Sequence, residues 1–121
     1  MAFTSRYQKG PPPKLQILFK GVLVAELTKE LKSEGPIYTF RYLPEFKNRK
    51  LAPLPGLPYS EFPRQSSELW PYFVERIPGA RRPEIQAWMK MKKLSSADDI
   101  RLIAELGAYS VTDPFEIRLA A

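Results

Sequence analysis

The chain of 121 residues contains neither cysteine nor histidine. Without cysteine there is no disulfide framework and no thiolate metal site, so the secreted, stapled mini-domain is excluded and the reducing cytoplasm is the expected location. Without histidine the commonest general base and the commonest metal ligand are both missing. No stretch approaches the roughly 20 apolar residues of a spanning helix. Met1 to Lys9 lacks the apolar run of a signal peptide, so neither export nor a membrane anchor is expected. The six glycines are scattered, and neither a GxxxxGK[ST] nor a GxGxxG motif is present, which leaves a phosphate cradle unsupported.

What is present reads as one small domain. Hydrophobic residues make up 44% and charged residues 26%, with both signs interspersed, a balance that supports a packed core and is too short in length for two of them. Nineteen basic against thirteen acidic side chains give a net charge of +6. That excess fits nucleic acid, an acidic protein partner or merely a basic surface.

Met1 to Pro13 is polar and ends in Gly10-Pro11-Pro12-Pro13, which disfavours helix and central strand, so residues 1–13 are read as a tail and 14–121 as the domain. Lys14–Phe19 and Val22–Thr28 are rich in Leu, Ile, Val and Phe around Lys20-Gly21, the signature of a β-hairpin. Lys29 to Pro36 breaks the pattern. A third strand follows over Ile37–Tyr42, ending at Pro44, and its alternation directs Tyr38, Phe40 and Tyr42 to one face, expected to point inward. Leu51 to Pro63 carries four prolines and Gly56 among Leu54, Leu57, Tyr59 and Phe62. This arm is either a loop held on the core by its apolar residues or an exposed docking surface.

Pro71 and Pro83 suit the first turns of two short helices, the first carrying Phe73, Val74 and Ile77, the second Ile85, Trp88 and Met89. A third helix is predicted from Ser95-Ser96 as cap and Asp98-Asp99 as first-turn acids, with Ile100, Ile103, Ala104 and Leu106 buried and Gly107 as the left-handed residue past its end. Strand character returns over Phe115–Leu119. The expected class is α+β: a small antiparallel sheet, built from the hairpin and the third strand, packed with three short helices.

The search for chemistry finds no nucleophile beside a base, and capping explains Asp98-Asp99 better than a metal or acid pair does. No catalytic residue, metal site or cofactor is assigned, and the chain is not expected to be an enzyme. Arg76, Arg81, Arg82, Lys90, Lys92 and Lys93 gather around the second helix. They form either a solvated face or a contact for nucleic acid or an acidic partner, without any helix-turn-helix, zinc-finger or RNA-stacking signature. Trp70 precedes Pro71 and so stands at a helix entrance, where its ring either staples the helix start or projects as an interface anchor.

Leu69-Trp70-Pro71-Tyr72-Phe73-Val74-Glu75-Arg76-Ile77-Pro78, with the hairpin before it and Leu106-Gly107 and Asp113-Pro114-Phe115-Glu116 after it, resembles the HipA N-terminal domain family across Leu15 to Leu119. In HipA-like toxins that module precedes a serine/threonine kinase core, which the chain is expected to lack. Free-standing versions, to which this chain is similar, are the HipS-like antitoxins of tripartite HipBST systems. The resemblance implies an antitoxin that docks on a HipT-like kinase as the missing N-terminal domain and inhibits it, with a HipB-like helix-turn-helix protein as a further partner. It places Trp70, Pro71, Tyr72 and Phe73 at or under the kinase-facing surface, and Tyr59 and Phe62 as secondary contacts. The alternative is a nucleic-acid-binding accessory or scaffold subunit of a repressor complex on DNA.

Overall fold

The computed structural model of the chain describes residues 13–76, 82–94, 98–107 and 114–120. Five antiparallel strands in the order β4-β3-β2-β1-β5 form one sheet: β1 Lys14–Phe19, β2 Val22–Lys32, β3 Gly35–Tyr42, β4 Arg64–Ser66 and β5 Phe115–Leu119. Four short helices accompany it among the described residues: α1 Pro44–Asn48, α2 Pro71–Val74, α3 Pro83–Lys92 and α4 Asp99–Leu106. This is the α+β class expected, with one helix and one strand more than the sequence pattern indicated.

The first hairpin closes as its residues require. Lys20 and Gly21 have φ of 49° and 81°, the paired positive values of a type I′ turn, whose twist matches that of the strands. The second hairpin corrects the sequence reading. Lys29 to Lys32 does not break β2; pairing continues through Glu30↔Ile37 and Leu31↔Pro36 to Lys32↔Gly35. Its exposed end has too few apolar residues to signal a strand, and the ladder to β3 supplies what propensity lacks. Pro44 likewise ends β3 but also starts α1, where a proline costs no intrahelical bond. Of the tail, residues 1–12 lie outside the described residues. Pro13, just before β1, is already tied to β2, its carbonyl accepting the Lys29 N–H at 3.2 Å.

The two faces of the sheet differ sharply. Leu15, Ile17, Leu27, Phe40 and Ile117 point into the core with 1% exposure or less, and Tyr38, Phe40 and Tyr42 all face inward as their alternation indicated. The opposite face is polar. There Glu26 meets Lys14 at 3.4 Å and Arg41 at 3.1 Å, although Leu18, which alternation places on that side, is 2% exposed. Covering the apolar side are Phe46 of α1, Leu54 and Leu57 of the arm, Phe73 of α2, and Ile100 and Ile103 of α4.

Helix boundaries and faces depart from expectation in four places. In α2, Tyr72 and Phe73 are buried and Val74 is exposed; Ile77, assigned to the same buried face, lies outside the described residues. In α4 it is Leu102, at 2% exposure, that joins Ile100 and Ile103 inside, while Ala104 and Leu106 are half-buried. Asp98 occupies the N-cap position of α4 without a side-chain capping bond, and Ser95-Ser96 lies outside the described residues. Gly107 is not left-handed either: its φ is −114°. No helix among the described residues is long and apolar enough to cross a membrane.

Candidate functional site

The proline-rich arm after α1 is fastened by one hydroxyl. Tyr42 projects from the inner face of β3, donates its O–H to the Leu57 carbonyl and accepts the Leu54 N–H at 3.0 Å. Leu54 and Leu57 flank that anchor at 2% and 1% exposure, and Gly56 between them takes φ of 76°, a turn a side chain would strain. Arg64 Nη2 adds a bond to the Pro58 carbonyl at 2.6 Å. The arm is therefore a bound loop on its inner side.

Its outer side is apolar and solvent-facing. Tyr59 is 38% exposed while stacking on Phe46 and Tyr42, with centroids 5.9 and 5.7 Å apart. Phe62 is 75% exposed, and a bond from its N–H to Ser60 Oγ at 3.1 Å shapes the turn that presents it. An exposed phenylalanine on a loop pinned from beneath has little backbone order left to lose on binding.

Trp70 joins the same aromatic layer through Phe40. Its backbone is extended, φ −65° and ψ 145°, as a residue before proline prefers, and its carbonyl accepts the Phe73 and Val74 N–H groups at 3.0 and 3.1 Å. The ring is half-buried and meets Phe40 edge-on at 6.2 Å. Phe40 in turn contacts Tyr42 at 4.8 Å and Phe73 at 5.8 Å. Of the six aromatic and proline residues assigned to partner binding, Tyr72 and Phe73 are core at 8% and 0% exposure. Trp70 is intermediate, and Pro71, Tyr59 and Phe62 are exposed. Val74, 48% exposed on α2, is a further exposed apolar residue and escaped notice in the sequence because helical spacing placed it inside.

The basic cluster is corrected at its first member. Arg76 is not a surface cation: it is 8% exposed, and its guanidinium donates to the Gly107 carbonyl at 2.7 Å, the Phe115 carbonyl at 2.8 Å and Tyr72 Oη at 3.1 Å. It ties the end of α4 and the start of β5 to the segment following α2. Arg81 lies outside the described residues, and Arg82, Lys90, Lys92 and Lys93 are exposed around α3. Lys90 and Lys92 occupy its last turn, where cations suit the helix dipole, so local helix chemistry accounts for part of the clustering.

Asp99 also does more than sequence reasoning gave it. Its Oδ1 accepts from Lys29 Nζ at 3.0 Å and its Oδ2 from the Tyr38 hydroxyl, pinning α4 to β2 and β3. No group of carboxylates capable of holding a metal ion occurs among the described residues. Burial, then the hydrogen bond to Asp99, raise the Tyr38 pKa, and burial raises that of Tyr42 against the smaller opposing effects of the Leu54 N–H and Arg64. A tyrosine pKa raised in the folded state stabilises the fold fully below the unfolded value of about 10 and loses that stabilisation as pH climbs past it. Urea midpoints should therefore fall from about pH 10 upward, and Tyr38→Phe should shallow the decline. A variant that falls as steeply as the parent would remove Tyr38 from the explanation.

No family model and no curated protein matches the chain. Among solved structures it is similar to one described as the N-terminal domain of HipA toxin, with a TM-score of 0.60 and 17% identity over 94% of this chain and 98% of that one. The chain has that domain's fold. The resemblance read from the motif around Trp70 and Pro71 thus holds at the level of architecture, over essentially the whole domain.

Proposed function

We propose that the chain is a non-catalytic, protein-binding antitoxin that docks on a HipT-like serine/threonine kinase in the cytoplasm, in place of the N-terminal domain of a HipA-like toxin, and inhibits it. The observation that carries this reading is the match to the HipA N-terminal domain along nearly the full length of both chains. The exposed rim of Tyr59, Phe62, Pro71 and Val74 is its contact surface, with the edge of Trp70 beside it. Rigid aromatic groups presented from a pinned loop lose little entropy on docking, and one inserted at the kinase cleft opposes the closure that phosphoryl transfer needs. The HipB-like DNA-binding protein is a further partner in the same assembly.

Co-expression with the kinase tests the reading. Growth should recover and substrate phosphorylation should fall in proportion to this protein; a kinase that stays fully toxic and active against a stoichiometric excess refutes inhibition. Phe62→Ala is the sharpest surface variant. A residue 75% exposed contributes little to folding, so melting should stay within a degree or two of the parent while binding weakens by about thirtyfold, the scale of an interface hot spot. Trp70→Ala should lower both binding and melting temperature, because its ring also covers Phe40.

A further inference from the structure

Among the described residues β5 is an edge strand, and the direction of its backbone groups can be assigned. The Ala120 N–H bonds the Lys14 carbonyl at 2.9 Å, which makes these two a facing, hydrogen-bonded pair. Such pairs alternate along an antiparallel ladder. With Gln16 opposite Arg118 and Leu18 opposite Glu116, residues 116 and 118 aim their N–H and C=O at β1, whereas 115, 117 and 119 aim theirs off the edge. The Phe115 carbonyl, outward on this assignment, is the one that Arg76 Nη2 reaches at 2.8 Å. The backbone groups of Ile117 and Leu119 have no strand partner on that side among the described residues.

An open groove of about 330 Å³ runs beside them, walled by Arg101, Ala104 and Glu105 of α4 and by Glu116 to Leu119. Natural sheets usually shorten or block an edge of this kind. At the far side of the sheet β4 is only three residues long, but β5 has five, and Leu119 at its end is 44% exposed.

Charge on the outer face identifies what fits. A polar row crosses the sheet: Arg41 pairs with Glu26 at 3.1 Å, Glu26 lies opposite Gln16, and Arg118 Nε donates to Gln16 Oε1 at 2.9 Å. The row ends at the edge on an arginine, and its next position calls for an acid.

We propose that this edge binds a second copy of the chain, β5 against β5, antiparallel, with Ile117 opposite its own symmetry mate. In that register the two Ile117 residues exchange N–H and C=O bonds, and Glu116 of each copy faces Arg118 of the other, so each row ends on an ion pair across the interface, while the Phe115 carbonyls stay with Arg76. The neighbouring registers that keep outward groups paired set Glu116 against Glu116 or Arg118 against Arg118, and like charges directly opposite are unfavourable. The contact is isologous and closes as a dimer. It leaves free the rim of Tyr59 and Phe62, which lies toward β4 at the other side of the sheet, so it stands independently of the kinase reading.

Sedimentation of the full chain at high micromolar concentration, with paired charge reversals, tests this. The parent should be a dimer. Glu116→Arg alone and Arg118→Glu alone should each raise the dimer dissociation constant by roughly tenfold or more, since two facing ion pairs become two repulsions. An equimolar mixture of the two variants should recover a dimer, because acid again faces base at both positions, and that recovery also shows both variants folded. A monomeric parent overturns the proposal and turns the edge over to a different protein's strand. Single reversals that dimerise as tightly as the parent, or a mixture that stays monomeric, overturn it as well.

Discussion

Arg76→Ala should destabilise the domain by about 3 kcal/mol or more, since hydrogen bonds to a charged donor contribute about 1.5–3 kcal/mol each and their buried partners are left unpaired. The guanidinium donates to the carbonyls of Gly107 and Phe115, and it serves Tyr72 Oη as well. Its Cζ also lies 5.5 Å from the Tyr72 ring centre. Three segments distant in sequence therefore lose a common tie at once. Arg76→Lys should recover only part of the loss, because an ammonium cannot present a planar fork to acceptors in different directions. Denaturant unfolding measures both, with the slope checked against the parent. A loss for Arg76→Ala below about 1 kcal/mol, the range of ordinary surface substitutions, would return the residue to the solvent-facing cluster.

The same residue marks where sequence reading stops. Arg76, Arg82, Lys90, Lys92 and Lys93 look alike as charges in a row of residues, and nothing local distinguishes the one that is buried. Its carbonyl acceptors lie 31 and 39 positions away, and only tertiary structure brings them within reach. Local signals were legible by contrast: Lys20-Gly21 specifies a turn by its own backbone preference, and the alternation of Tyr38, Phe40 and Tyr42 specifies a face. Asp99 falls between the two kinds. A first-turn acid is a capping signal, and its bonds to Lys29 and Tyr38 on neighbouring strands follow only from the packing of α4 against β2 and β3.

The candidate rim divides along the same line. The aromatic and proline content of residues 51–63 announced an unusual arm, but apolar residues on both sides of a loop look identical in sequence. The Tyr42 hydroxyl decides between them by holding the backbone at Leu54 and Leu57, which turns those leucines inward and leaves Tyr59 and Phe62 outside. Trp70-Pro71-Tyr72-Phe73 is a motif of mixed purpose for the same reason: Tyr72 supports Arg76, Phe73 fills the core, and only Pro71 and part of Trp70 reach solvent. A motif that signals a fold family carries its scaffold and its surface together, and burial separates them.

Gly107→Ala should cost about 3 kcal/mol, the upper part of the range for forcing atoms into a packed interior. A glycine one residue past a helix invites explanation by left-handed geometry, yet the backbone here, with φ of −114°, is open to any residue. Space is the constraint instead. A Cβ at 107 would lie 2.7 Å from Arg76 Cβ and closer still to the Arg76 carbonyl oxygen, and neither atom can swing aside as the end of a long side chain would. Relief requires moving the end of α4 away from residue 76, which stretches the 2.7 Å bond from Arg76 Nη1 to the Gly107 carbonyl. The two substitutions therefore act on one junction, and Gly107→Ala combined with Arg76→Ala should cost less than the sum of the two, by more than the roughly 0.5 kcal/mol scatter of independent sites. Full additivity in unfolding free energy would place the glycine's requirement elsewhere. A loss for Gly107→Ala alone no larger than a few tenths of a kcal/mol would mean that the junction yields freely and does not fix α4 against the Arg76 segment.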